Sequence, residues 1–293
     1  MKFGISFVNG SEGADPDYAV GLAQTAENYG FESLFTAEHL VVPVGYESRY
    51  PYSADGRMVF SDDTPLAECL LWLAYVACAT SRINLGTGVL VLPQRQPLLL
   101  AKELATLDRL APGRVLLGVG VGWLEEEFTA FGLPYADRAR RTDEYVSTLR
   151  TLWGPQPCEF HGDFTNFDPL YCAPTPSDAR AIKILVGGHS KAAARRAGLL
   201  GDGYFPIGLA NDVFAERIAL MRATADEAGR DPLSIEVTTI DSWKPAAVES
   251  AAALGVDRYL VIRPSGPLSR VEDRIGDFSQ AVMADHADPP VAR

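Results

Sequence analysis

The chain is short of positive charge, of cysteine motifs and of long apolar runs, and each shortage removes a class of function. Among 293 residues, Lys and Arg number 26 against 38 Asp and Glu, a formal net charge of −12. Such a surface repels phosphodiester backbones and anionic lipid, which argues against nucleic acid and membrane surfaces as partners. The longest uncharged apolar run, Cys69 to Ala79, falls well short of the roughly 20 residues that a bilayer span needs and reads as a buried helix. Met1 to Phe7 lacks the apolar stretch and small-residue cleavage site of an export signal, giving the expectation of a cytoplasmic protein. Cys69, Cys78, Cys158 and Cys172 form no C-x-x-C pair, so they are expected to be ordinary buried or half-buried thiols rather than a disulfide framework or a metal site. His161, His189 and His286 share no metal-ligand spacing, and G-x-S-x-G is missing. Metal and serine-nucleophile chemistry are therefore not expected.

What is present is a hydrophobic content of 47% and a charged content of 22%, the balance of a globular chain with a large core. Eight short β-rich runs alternate with helical patterns: Phe3–Phe7, Ser33–Ala37, Ile83–Thr87, Val115–Gly118, Ile184–Val186, Gly203–Phe205, Ile235–Thr239 and Arg258–Ile262. Helices are expected from Asp15-Pro16 to Tyr29-Gly30, after a cap at Asp62-Asp63-Thr64-Pro65, from Pro97 to about Leu110, over Asp137–Trp153, Lys191–Leu200 and Asn211–Ala228, and over Leu268–Met283 before a frayed tail. Eight strands, each followed by a helix, predict an α/β fold, a single (β/α)8 TIM barrel covering residues 1–293. The rival, a Rossmann-like sheet, lacks its fingerprint, because Asn9-Gly10-Ser11-Glu12-Gly13 has the wrong spacing for G-x-G-x-x-G. Two loops are long: His39 to Asp63 after the second strand, and Gln156 to Thr175 before the fifth, the latter with a hairpin around His161-Gly162-Asp163.

A barrel places its site at the strand exits, which directs attention to five places. The second strand leaves through Glu38-His39, a carboxylate beside an imidazole suited to proton exchange near neutral pH. The third ends in Gly86-Thr87-Gly88-Val89, where glycines allow either close approach of a planar ligand or simply a tight turn. The fourth runs into Gly118-Val119-Gly120-Val121-Gly122-Trp123, a face stripped of side chains on which a flat ligand can lie, with an indole to stack on it. The run Glu125-Glu126-Glu127 that follows reads as a solvated helix start, the alternative being that one member faces the pocket. The fifth ends in Gly187-Gly188-His189-Ser190 at a helix N-terminus, which is either a phosphate cradle or an ordinary N-cap worth about 1 kcal/mol. The sixth, entered through Asp202-Gly203, lies beside the fifth and completes the same site. Tyr46, Tyr50 and Tyr52 in the long loop form either an aromatic lid or a loop packed on itself.

In order along the chain, Ala26-Glu27-Asn28-Tyr29-Gly30-Phe31 through Glu38-His39, Ile83 to Val89, Leu104 to Val115, Gly118 to Trp123, and Ile184 to Ser190 with Gly201-Asp202-Gly203 resemble the bacterial luciferase-like family of flavin and deazaflavin oxidoreductases. The resemblance covers nearly the whole chain. It implies a barrel that binds coenzyme F420, or alternatively FMN, and is nearest to the F420-dependent actinobacterial-type members. Carried over, it implies Glu38 and His39 as catalytic residues, with His39 managing a proton. It implies Glu38, His39, Thr87, Gly88, Val89, Gly122, Trp123, Gly187, Gly188, Ser190 and Gly203 at the cofactor, with Gly88-Val89 as a cis peptide supporting the ring. Trp123 stands where the sugar-phosphate-oxidising relatives carry a catalytic carboxylate, which argues against that reaction. The expected activity is hydride transfer to or from a small organic substrate. The alternatives are an FMN-dependent monooxygenase with a separate flavin reductase and a non-catalytic binding barrel, and the resemblance also implies a possible homodimer. Lys191, Arg195 and Arg196 are the cations expected to hold the acidic tail of the deazaflavin.

Overall fold

The computed structural model describes residues 1–178 and 180–286. Its central sheet is built from β1 (Lys2–Ser6), β2 (Ser33–Thr36), β3 (Asn84–Thr87), the short β4 (Leu90–Val91) and β5 (Val115–Gly120). After the antiparallel hairpin β6 (Cys158–His161) and β7 (Asn166–Leu170), it continues through β8 (Lys183–Gly187), β9 (Gly203–Phe205), β10 (Glu236–Asp241) and β11 (Arg258–Ile262). All strands of the central sheet pair in parallel, in the order β3-β2-β1-β11-β10-β9-β8-β5. Pairing of Leu85 with Val115 joins β3 to β5 and closes an eight-stranded barrel. The expected strands all form, each within one or two residues of its expected bounds, and β5 and β8 are the fourth and fifth staves.

Around the barrel lie α1 (Pro16–Asn28), α2 (Cys69–Ala77), α3 (Pro97–Leu110), α4 (Glu125–Ala130), α5 (Arg138–Trp153), α6 (Lys191–Leu200), α7 (Asn211–Glu227), α8 (Pro245–Ala253) and α9 (Leu268–Phe278). Boundary chemistry explains most of them. Asp15 caps α1 by accepting the N–H groups of Asp17 and Tyr18 at 3.0 Å, with Pro16 in the first turn. Two helical expectations are corrected. The helix expected after Asp62-Asp63-Thr64-Pro65 begins later, at Cys69, because residues 65–67 are held extended by backbone bonds of Ser11 to Pro65 (2.8 Å) and Ala67 to Asn9 (3.0 Å). Glu68, accepting from Leu71 N–H at 2.7 Å, is the true cap. The last helix changes to a π-helical turn at Ser279–Met283, and the expected frayed tail beyond His286 lies outside the described residues. Cys69, Cys158 and Cys172 are buried as expected, whereas Cys78, at the C-terminal end of α2, is exposed.

Alternate residues of each strand face outward to the helices and inward to the barrel. The interior is filled by Phe35, Leu116, Leu185, Phe205 and Leu260. Gly86 carries no side chain because a Cβ there would lie 2.7 Å from the Phe35 ring. The N-terminal end of the barrel is closed by charge. Arg258, 2% exposed, donates to Glu32 at 2.9 and 3.0 Å and to Glu236 at 3.4 Å, while Lys2 and Lys183 also reach Glu236. Burial opposes ionisation of Glu236, but Arg258, Lys2 and Lys183 outweigh it and hold the carboxyl at about 2.

Arg258→Met leaves these carboxylates underpaired in a buried setting and is expected to cost about 3–5 kcal/mol in urea unfolding at pH 7. Because a depressed carboxylate stabilises the fold above its ordinary value of 4.5 and loses that effect as pH falls through about 2, the difference from wild type should shrink in that window.

Candidate functional site

At the opposite, C-terminal end of the strands lies a cavity of about 350 Å³. Its wall begins where β2 ends. The buried side chain of Asn9, just past β1, accepts from Ala37 N–H at 2.9 Å and donates to Ala37 and Ala67 carbonyls at 2.9 and 2.6 Å. This amide clamp fixes the backbone from which Glu38 and His39 project. Asn9 was visible in the sequence only as part of a failed glycine motif, since nothing local announces a partner 28 residues away.

Glu38 lines the cavity but has both oxygens committed. One is ion-paired with Arg95 and lies 3.2 Å from Cys69 Sγ; the other accepts from Val91 N–H at 2.5 Å. Arg95 also bridges to Glu68 at 2.7 Å, so the guanidinium is the cation of the Glu38, Glu68 and Cys69 cluster. Burial disfavours the charge on Arg95, yet Glu38 and Glu68 drive its pKa up, and burial together with Glu38 pushes the Cys69 thiol well up, leaving it protonated. These bonds make Glu38 a tether for the segment after β3.

That segment carries the cis Gly88–Val89 peptide expected from the resemblance, and its Val89 side chain enters the barrel mouth. A Cβ on Gly120 would lie 2.6 Å from Val89 Cγ2, one on Gly187 would lie 2.7 Å from Val89 Cγ1, and one on Gly118 would meet the Thr87 carbonyl at 1.9 Å. The alternating glycines thus make room for the protein's own bulge, not directly for a ligand, which revises the reading of that face. Gly122, at φ +80°, is needed for its backbone turn. Two residues expected at a cofactor stand off the wall. The Thr87 hydroxyl is buried in a bond to Gly118 carbonyl at 2.7 Å, and Gly203 opposes Leu185 inside the barrel. Glu38, His39, Gly88, Val89, Gly122, Trp123, Gly187, Gly188 and Ser190 all line the cavity.

His39 Nδ1 lies 3.0 Å from Glu127 Oε2, and its Nε2 accepts from Trp123 Nε1 at 3.3 Å. Glu127 is buried, and its Oε1 takes the N–H groups of Leu40 (2.7 Å) and Val41 (3.2 Å). Glu126 Oε1 takes those of Glu47 (2.6 Å) and Ser48 (3.0 Å), while Ser48 Oγ accepts from Glu125 N–H. The acidic run opens α4 as expected, with Glu125 exposed, but Glu126 and Glu127 are turned to the 39–63 loop and latch it. Over the mouth, aromatic rings meet edge to face in sequence: His39 on Trp123 (5.5 Å), Trp123 on Tyr50 (5.2 Å), Tyr50 on Tyr52 (5.3 Å) and Tyr52 on His189 (5.1 Å). The loop thus packs across the cavity as a lid, with Tyr46 buried behind Trp123. Burial and then Tyr50 push the Tyr52 phenol up to about 12, so it stays protonated.

The other end of the cavity is polar. Gly188, at φ +120°, leads through His189 to Ser190, which caps α6 by accepting from Ala193 N–H at 3.1 Å. Arg138 and Arg196 also line this end; Arg138 stacks on Tyr135 at 3.7 Å and has a buried, unpartnered Nε, and Arg196 is ion-paired with Asp143. Of the expected tail cations, Lys191 instead pairs with Glu216 at 3.0 Å. Arg195 faces an adjoining groove that shares Arg196 with the cavity. Arg138 escaped notice because α5 reads in sequence as an ordinary charged helix.

The family model for luciferase-like monooxygenases matches residues 1–262. Rv0940c of Mycobacterium tuberculosis is 34% identical over 248 residues, 84% of this chain and 85% of its own. The FMNH(2)-dependent dimethylsulfone monooxygenase of Pseudomonas fluorescens is 32% identical over 279 residues, 93% of this chain and 63% of its own. Among solved structures, an F420-dependent secondary alcohol dehydrogenase in complex with an F420-acetone adduct superposes with a TM-score of 0.79 at 18% identity, covering 97% of this chain and 98% of that one.

Glu126→Ala removes the acceptor of two lid amides and should raise hydrogen exchange across residues 45–50 while leaving the melting temperature nearly unchanged. Burial is outweighed by the Ser48 and Glu47 bonds, which hold the Glu126 carboxyl at about 2. In wild type, that protection should accordingly be constant above 4.5 and fail only as pH falls through about 2.

Proposed function

The chain belongs to the luciferase-like monooxygenase family, and from that premise we propose that it is an oxidoreductase using coenzyme F420 for hydride transfer to or from a small apolar substrate. The observation behind the choice of cofactor is the adjoining groove, which shares Arg196 with the cationic end of the cavity and carries Arg140 and Arg195 beside Asp143, Glu144 and Asp163. A ligand ending at its phosphate leaves that groove unused, whereas the acidic tail of the deazaflavin would run along it past Arg195.

The residues present fit such a group. The α6 N-terminus, the Gly188 turn at φ +120°, and His189 Nδ1 and Arg138 Nε, unpartnered among the described residues, suit a phosphate. Val89, seated between Gly120 and Gly187, offers a convex apolar support for a flat ring. When bound, the deazaflavin supplies the hydride chemistry. The protein's own share is then to exclude water and place the substrate. Phe7, Met58, Phe60, Ile207 and Ile240 give the remaining wall an apolar character, and Tyr50 and Tyr52 cover it. His39 exchanges one proton at Nε2. Glu38 acts as a positioning residue through Val91.

The second reading, an FMN-dependent monooxygenase working with a separate reductase, is favoured by the likeness to the Pseudomonas fluorescens enzyme. Fluorescence titration of the purified protein with F420 and with FMN separates the two. The proposal expects the deazaflavin to bind much more tightly, and the reverse order, with oxygen-dependent turnover, would establish the flavin reading. Binding of neither would point to a non-catalytic barrel. Arg195→Ala should weaken F420 roughly two- to fivefold, the scale of an exposed ion pair, and leave FMN unchanged; equal losses for both would remove the groove from the argument.

A further inference from the structure

We propose that Glu127 is a positioning residue that holds the neutral His39 ring in the tautomer protonated on Nδ1, so that Nε2 is the atom that exchanges a proton with a substrate oxygen. The catalytic part rests on the oxidoreductase reading; the tautomer does not.

Two independent contacts lead to the same proton placement. An indole N–H only donates, so the Trp123 Nε1 contact at 3.3 Å requires a lone pair on His39 Nε2. The ring proton therefore sits on Nδ1, where Glu127 Oε2 waits at 3.0 Å. The Glu127 side chain is 1% exposed, so water does not compete for that bond. Its other oxygen is turned away by two backbone donors, Leu40 and Val41, which fixes the carboxylate plane and rules out an exchange of roles between the oxygens. The same side chain thereby ties the imidazole orientation to the start of the lid. Trp123 holds Nε2 until a substrate oxygen replaces it. A hydroxyl proton then passes to Nε2 and the resulting imidazolium faces Glu127; in the reverse direction the imidazolium returns that proton from Nε2 to the oxygen.

The division of labour between the two Glu127 oxygens makes Glu127→Gln a sharp probe. The amide oxygen can keep the Leu40 and Val41 bonds, while the amide NH2 replaces Oε2 and donates to Nδ1, forcing the ring proton to Nε2. The chain has four histidines, so ¹⁵N-histidine NMR of the cofactor-free protein is tractable, with His39→Asn identifying the signals. Wild type is expected to show a protonated Nδ1 and a bare Nε2 on the neutral ring, and Glu127→Gln the inverted pattern. Trp123→Phe removes the indole donor without touching Glu127, and the Nδ1–H pattern should persist. In turnover, Glu127→Gln should lower kcat on the order of 100-fold or more with little change in KM, the mark of a wrong tautomer. A wild-type ring protonated on Nε2, an unchanged pattern in Glu127→Gln, or a mixed ring in Trp123→Phe would each overturn the positioning role. Failure to bind F420 or FMN would overturn the oxidoreductase reading instead, and the NMR pattern is read without either.

Discussion

A carboxylate buried at the mouth of a barrel must find its partners within the protein, and the arrangement around this cavity follows from how Glu38 and Glu127 meet that requirement. Glu38 draws Arg95 inward and takes the amide of Val91, which pins the bulge carrying Val89. Glu127 takes the imidazole of His39 and the two amides that follow it, which pins the first residues of the lid. Each satisfies its charge with backbone N–H groups as well as a side chain, so the cost of burying the ion is offset by the ordering of a loop. Loss of either carboxylate would release backbone, not only a side chain.

The two ends of the barrel use charge differently. At the N-terminal end, Arg258, Glu32, Glu236, Lys2 and Lys183 form a network of directly paired charges. At the C-terminal end, the charged groups stand around an apolar space and are joined by aromatic rings that span it. The first arrangement holds the staves in register. The second leaves a cavity with the His39 imidazole and the guanidinium groups of Arg138 and Arg196 on its wall. The division matches the common pattern of barrels, in which stability resides at one end and chemistry at the other.

The strands and most helix bounds were legible because each depends on local signals: β-branched runs, Pro in a first turn, Ser or Asp at a cap. The exits of β2, β5 and β8 were legible for the same reason, since a barrel converts strand order directly into position. What misled were residues whose environment is supplied from far along the chain. Gly118, Gly120 and Gly187 read as an open face, and only the packing of Val89 shows what fills it. Glu125-Glu126-Glu127 reads as a solvated helix start, and the lid amides that occupy it lie some 80 residues away in sequence.

By itself, then, the amino-acid sequence determined the eight alternating strand and helix units, the exit positions of His39, Trp123 and Ser190, and through ordered motifs the family. Those features arise from backbone periodicity and short-range hydrogen bonding, which act within a few residues. The tertiary structure alone decided which carboxylate contacts His39, that Glu38 is bound to Arg95, that Arg138 joins Arg196 at the cationic end, that the Thr87 hydroxyl is taken by the Gly118 carbonyl, and that Gly203 faces Leu185 inside the barrel. Each joins residues from different strand–helix units, and such contacts are set by how the closed barrel arranges those units, a property that no local pattern encodes.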